Sequence, residues 1–296
     1  MMNSSSGLRS QLQAGDFIVA PGAYDCLSAK AAELAGFSAI YMTGMGTSAS
    51  RLGLPDYGLA TMSEMVANAA AMSAATGIPV IADADTGYGN ELNMTRTVRE
   101  FERSGAAGIH IEDQVFPKKC GHLDGKQVIP RKAFVSKIRA AVKARQNEDF
   151  IIIARTDSNA VLGFEEAVWR ANEALAVGAD LALVEAPESM AELEQVPRRV
   201  HGPCVLNVLL GGKSPLLSLP AVRDFGYRMV LLSDVLLSAA ITAYDSVLST
   251  VRTSREPLHL KGSISPRDIF KRLGSEEWDG LRPIECDETE LVSPGR

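Results

Sequence analysis

The chain has only four cysteines in 296 residues, Cys26, Cys120, Cys204 and Cys286, and no two are spaced as a pair. A disulfide framework is therefore excluded. Basic residues are in the minority: 30 Lys and Arg face 36 Asp and Glu, leaving a net charge of −6, and no basic run exceeds a few residues. The broad positive field that gathers nucleic acid or an anionic membrane is missing. Long apolar runs are missing too. Those in 230–247 are interrupted by Asp234 and Asp245, and residues 1–17 are polar and Ser-rich, without the apolar core of a signal peptide. These absences predict a soluble, cytoplasmic protein. At 46% hydrophobic and 22% charged residues, a chain of this length buries a stable core without disulfide or metal staples.

Short β-rich apolar runs recur at 17–20, 39–43, 80–85, 108–112, 150–156, 181–185, 204–208 and 229–233, and nearly every one is followed by a stretch of helical periodicity. Thr61-Met-Ser-Glu64 reads as a capping box at a helix start. Segments 92–103, 131–144 and 164–177 carry apolar residues three and four apart, with Gly105 and Gly178 as stop signals. Eight strand–helix repeats over about 230 residues predict a (β/α)₈ TIM barrel over 1–250. An open doubly wound sheet is disfavoured, since no G-x-G-x-x-G turn follows the first strand. Residues 251–296, with Pro257, Pro266, Pro283 and Pro294 among scattered charges, read as a C-terminal tail with a short helix near 266–273.

In such a barrel the C-terminal strand ends share one mouth, so polar residues that end apolar strands are the functional candidates. Here they are Tyr41, Thr43, Gly44, Asp83, Asp85, Glu112, Arg155, Glu185 and Asn207. Asp83, Asp85 and Glu112 come from neighbouring strands, and their concentrated negative charge calls for a cation; hard oxygen donors favour Mg²⁺ or Mn²⁺ over zinc. The simpler reading of any one of them is a helix cap or a partner for Arg155. The polar connection after the fourth strand contains Pro117-Lys118-Lys119-Cys120-Gly121-His122 and is long enough to act as a lid. Two lysines beside Cys120 favour its thiolate, and Gly121 lets the backbone bend. Thr43-Gly44-Met45-Gly46 could offer backbone amides to an anion. Gly211-Gly212-Lys213-Ser214 lacks Walker spacing and reads as a plain loop.

Together the motifs Tyr41-Met-Thr-Gly44, Asp83-Ala-Asp85-Thr-Gly-Tyr-Gly89, Ile111-Glu-Asp-Gln114, Lys118 to His122 and Ile153-Ala-Arg-Thr-Asp157 resemble the isocitrate lyase and phosphoenolpyruvate mutase superfamily. The match is specifically to its short lyases, typified by 2-methylisocitrate lyase and 2,3-dimethylmalate lyase, and covers residues 10–250. The resemblance implies cleavage of a small 2-hydroxy di- or tricarboxylate, with Asp85 on Mg²⁺ and Asp56, Asp83 and Glu112 on its waters. Thr43, Gly44 and Met45 would cradle the 2-oxo acid carboxylate, with Asn207, Lys119, Gly121 and Ser233 completing the substrate-binding set. Tyr41, its pKa lowered by Mg²⁺ and Arg155, or else a water or carboxylate, would be the base, and Arg155 would stabilise the emerging oxygen. Cys120 on the closed lid, beside Lys118, would protonate the leaving carbanion, while His122 and Glu185 would bind or orient that fragment's carboxylate.

Phosphonate-forming mutases lack the lid cysteine, so Cys120 argues against that chemistry. Lys119 stands where methylisocitrate lyases commonly carry Arg, and Leu232-Ser233 where several lyases show Tyr-Pro. Ser233 keeps oxaloacetate hydrolysis or decarboxylation as an alternative. A non-catalytic protein that binds 2-oxo acids or oxalate is the alternative of another class, but it would be expected to have lost Cys120 or the acidic cluster. The family also implies a homotetramer with C-terminal helices exchanged between subunits.

Overall fold

The computed structural model describes residues 4–254 and 262–281; Cys286, Pro257, Pro283 and Pro294 lie outside the described residues. Eight strands, β1 (Ile18–Ala23), β2 (Ile40–Met42), β3 (Val80–Asp83), β4 (Gly108–Glu112), β5 (Ile151–Thr156), β6 (Leu181–Val184), β7 (Cys204–Val208) and β8 (Met229–Leu232), pair in parallel and in chain order. β8 returns to β1, with Ile18 opposite Met229 and Pro21 opposite Leu232, and closes the barrel. The expected (β/α)₈ architecture is what the chain forms. β1 runs three residues past the expected segment, because Pro21-Gly22 looks like a strand breaker in sequence. In space Gly22 is needed: an added Cβ would collide with the Ser233 carbonyl.

Buried on both faces, these strands are continuous apolar runs. Side chains alternate inward and outward with a period of two. Tyr41, Ile81, Ile151, Ile153, Leu181, Leu183, Val205, Met229 and Leu231 share the barrel interior, whereas Ile40, Met42, Val80, Ala82, Ile109 and Ile111 pack outward under the helices. Carried on to the strand ends, the alternation aims Asp83, His110, Glu112, Arg155 and Asn207 inward.

The helices Glu91–Arg103, Arg131–Ala144 and Phe164–Ala176 follow the expected periodicity. Helix Met62–Ala75 starts at the Thr61–Glu64 box, where the Glu64 carboxylate accepts from Thr61 N at 2.7 Å. An unexpected helix, Ser4–Ala14, places Leu8 in the barrel's interior cluster and pairs Arg9 with Asp180 at 2.6 Å. Its only apolar anchors within a polar stretch are Leu8 and Leu12, too few to read as a helix in sequence.

The chain divides into two units, Met1–Thr242 and Ala243–Arg296, and the barrel belongs to the first. The second contains helix Pro266–Arg272, capped by Ser265, and helix Ser275–Gly280. No helix among the described residues is long and apolar enough to cross a membrane.

Candidate active site

One corner of the barrel mouth is acidic. Asp83 ends β3, where its carboxylate accepts from Tyr41 Oη at 3.2 Å, Gly44 N at 3.1 Å and Asp85 N at 2.9 Å. A Cβ on Gly44 would stand 2.5 Å from Asp83 Oδ2, so the turn after β2 can reach this carboxylate only as glycine. Thr43 caps the short helix Gly44–Thr47 by accepting from Gly46 N at 2.7 Å. Asp85 adopts a left-handed backbone, φ 46°, and burial pushes its carboxyl up to about 6; Asp83 and Asp56 add to the rise and Lys118 opposes it.

Nζ of Lys118 lies between Asp56 and Asp85, 2.7 and 2.9 Å away. Burial works against this ammonium, but Asp85, Asp56, Asp83 and Glu112 outweigh it and hold it charged. Glu112 is 1% exposed, yet neither of its oxygens has a hydrogen-bond partner; the nearest cation found is Arg155 Nε, 3.3 Å from Oε2. Burial drives its carboxyl well above the usual range.

Among the described residues no three carboxylate, His or Cys side chains are grouped closely enough to hold a metal as they stand. The donor chemistry nevertheless fits a hard divalent cation. Four oxygen-bearing side chains converge on one positive charge, and a buried carboxylate without partners is costly until a cation satisfies it.

Opposite this corner, Arg155 leaves β5 inward and is clamped by Asp157, with Nε 2.9 Å from Oδ2 and Nη2 3.1 Å from Oδ1. Glu185 follows β6. It accepts from Asn207 Nδ2 at 3.0 Å and faces His122 Nε2 at 3.3 Å and Arg155 Nη2 at 3.6 Å. Burial opposes the Glu185 charge, but Arg155 and His122 overcome it and bring the pKa below the usual carboxylate range. An ionised Glu185 repels a carboxylate and attracts the donors around it. Lys213 N donates to His122 Nδ1 at 3.0 Å, which leaves the imidazole proton on the Nε2 that faces Glu185. Ser233 donates its hydroxyl to Asn207 Oδ1.

Cys120 and His122 stand in the partition between two cavities. The inner one, about 30 Å³, is walled by Tyr41, Thr43, Gly44, Met45, Arg155 and Ser233, among others. The outer one is about 450 Å³, with Pro55, Tyr57, Leu123 and Leu209 along its walls.

One expectation fails here for a geometric reason. The lysines do not favour a thiolate: Lys118 is engaged by carboxylates and Lys119 is exposed, while burial and the Glu185 charge push the Cys120 thiol up against weaker opposition from the His122 amide and Arg155. Without a cation, burial and Asp83 raise the Tyr41 phenol well above its ordinary value against the smaller pull of Arg155, so a base at Tyr41 depends on the cation. Lys119 also points away from the inner cavity, its backbone gripped at both N–H and C=O by the Gln114 amide at 3.0 and 2.8 Å. The other expected residues line the inner cavity or, as with Asp85 and Glu112, the acidic corner beside it.

Two residues, His110 and Lys126, escaped the sequence reading, and Asp157 appeared in a motif without a role. His110 stacks on Tyr41 with ring centroids 5.6 Å apart and its Nε2 3.2 Å from Asp83; burial lowers it to about 4, against the pull of Asp83. Its position two residues before Glu112 on an apolar strand was the available signal. Lys126 forms a buried pair with Asp157 at 3.1 Å, and nothing in the sequence signalled that the two meet.

The family model described as phosphoenolpyruvate phosphomutase matches residues 8–252. The 2,3-dimethylmalate lyase of Eubacterium barkeri is 46% identical over 230 residues, 78% of this chain and 80% of that protein. The 2-methylisocitrate lyase of Aeropyrum pernix is 43% identical over 244 residues, 82% and 78%. A solved structure of oxaloacetate acetylhydrolase in complex with the inhibitor 3,3-difluorooxalacetate superposes with a TM-score of 0.91 at 38% identity, covering 94% of this chain and 96% of that one. The chain belongs to the phosphoenolpyruvate mutase/isocitrate lyase superfamily.

Proposed function

We propose that this oxo-acid lyase uses Mg²⁺ or Mn²⁺ to cleave a carbon–carbon bond in a small 2-hydroxy di- or tricarboxylate of the 2,3-dimethylmalate or 2-methylisocitrate type. The products are a 2-oxo acid such as pyruvate and a second carboxylate. The observation that carries this reading is Cys120, a protonated thiol at the wall of the inner cavity that also contains Arg155 and His122. A neutral thiol on a lid is suited to quenching a carbanion before it adds back.

Asp85, with Asp56, Asp83 and Glu112 around it, would hold the cation, whose chemistry is to acidify a 2-hydroxyl oxygen. The residues of the chain do the rest. Thr43, Gly44 and Met45, in the turn after β2, would cradle the C1 carboxylate. Tyr41, a water or a carboxylate of the acidic corner takes the proton of the 2-hydroxyl. As C2–C3 breaks, Arg155 stabilises the new 2-oxo oxygen. The electron pair left on C3 then takes the Cys120 proton.

A panel of 2,3-dimethylmalate, 2-methylisocitrate, isocitrate and oxaloacetate, with Mg²⁺ or with EDTA, tests this through release of 2-oxo acid. Turnover of a 2-hydroxy acid that EDTA abolishes is expected. No turnover, with tight oxalate binding, would favour the binding protein. Oxaloacetate hydrolysis is kept as a second reading by Ser233, whose hydroxyl lies in the inner cavity wall, and by the likeness to the acetylhydrolase; Ser233→Ala would then abolish oxalate formation. Residence in the cytoplasm and assembly as a homotetramer belong to the same proposal.

A further inference from the structure

We propose that Lys126 is a positioning residue that hooks the cysteine lid onto the carboxylate that also sets Arg155. The lid rises from a stem: Val115 N donates to Gln127 O at 2.8 Å, Ile129 N to Asp113 O at 2.9 Å, and Gln114 bridges Val128. Lys126 lies at the foot of this stem. Its side chain is 1% exposed, and its ammonium donates to the carbonyl of Gly121, next to the thiol, and to Asp157 Oδ1 at 3.1 Å.

Asp157 is anchored: it is fully buried, and its amide donates to Asp113 Oδ1 at 2.8 Å. Its same two oxygens receive Arg155 Nε and Nη2. One carboxylate is thus shared between the lid and the guanidinium in the cavity. A buried ammonium needs a carboxylate, and Asp157 is the one in reach, so the Gly121 carbonyl is pinned wherever Asp157 is fixed. The lid's rim contact, Lys213 with Asp124 at 2.6 Å, joins side chains 29% and 91% exposed and is screened by water. The hook is buried, as are the lid's contacts through Lys118 and His122, but it alone of these is tied to Asp157.

Lys126→Met keeps the apolar stem and removes the hook. The readout is iodoacetamide labelling of Cys120 against exposed Cys26 in the same molecule, followed by peptide mass spectrometry. The expected result is a Cys120-to-Cys26 rate ratio at least about tenfold above the parent's, as for a lid released to open. Losing a cation would slow thiolate chemistry, so acceleration reports exposure. Asp157→Asn is expected to move the ratio the same way and decides the matter if Lys126→Met does not fold. An unchanged ratio in a folded variant, even one with a lowered Tm, would overturn the proposal and leave Lys126 a structural ion pair.

The turnover arm rests on the lyase reading: on the best substrate, kcat is expected to fall by at least about tenfold with KM changed less than about threefold. A parent enzyme inactive on the whole panel would count against that reading, while the labelling ratio still decides the role of Lys126.

Discussion

At the scale of single residues, charge is directed by geometry. Lys118 points into a ring of carboxylates and Lys119 into solvent, so Cys120 is governed by burial and by Glu185. Its iodoacetamide reaction is therefore expected to reach half-maximal rate at a higher pH than that of a cysteine in an unstructured peptide; an equal or lower midpoint would show that the lysines do act on it. Cys120→Ser retains shape but is a far weaker acid, and kcat on the best substrate is expected to drop about 10²- to 10⁴-fold with Tm unchanged. Parent-like turnover would dismiss the thiol as the acid.

Asp85 offers a test of the cation. Its folded pKa of about 6 lies above the value of 3.8 for an unperturbed carboxyl. The ionised form is therefore a penalty to the metal-free protein, present above pH 6 and relieved as pH falls from 6 toward 4. Asp85→Asn removes this penalty, on the order of 1–3 kcal/mol, and is expected to raise Tm at pH 7 in EDTA while abolishing any rise on adding MgCl₂. A variant that still gains Tm with MgCl₂ would clear Asp85 of a ligand role.

At the scale of elements, strand alternation does most of the placing. Continued inward from Ile81, Ile153, Leu183 and Val205, it aims Asp83, Arg155, Glu185 and Asn207 at one mouth, and this much was legible in sequence. His110 obeys the same rule but was masked by its apolar strand. The lid was legible as a long polar connection. Its internal ties, Gln114 to Lys119 and Lys126 to Asp157, were not, because they join residues whose separation in sequence says nothing of their approach. The turn after β2 can be tested directly. Gly44→Ala places a methyl against Asp83 Oδ2, and kcat/KM is expected to fall at least about tenfold while the circular dichroism of the barrel is kept. Full activity would mean that the turn has slack.

At the scale of the whole molecule, helix Val235–Thr253 has no buried residue and exposes Ile241, Tyr244, Leu248 and Val251, and in the second unit Phe270 and Trp278 are 61% and 70% exposed. Apolar surface on this scale is a mark of association. This supports the proposed homotetramer, and light scattering coupled to size-exclusion chromatography is expected to give about four chain masses. A monomer at micromolar concentration would refute it.

The sequence by itself determined the barrel, since strand and helix periods are local and repeat eight times, and it determined which strand ends carry polar groups. It also carried the family, through motifs whose order survives without coordinates. Only the tertiary structure decided the surroundings of each group: that Lys118 serves the carboxylates, that burial raises the Cys120 thiol and the Tyr41 phenol, and that Asp157 joins Arg155 to Lys126. Protonation depends on burial and on charges brought together from different strands, and neither is a property of neighbours in the chain.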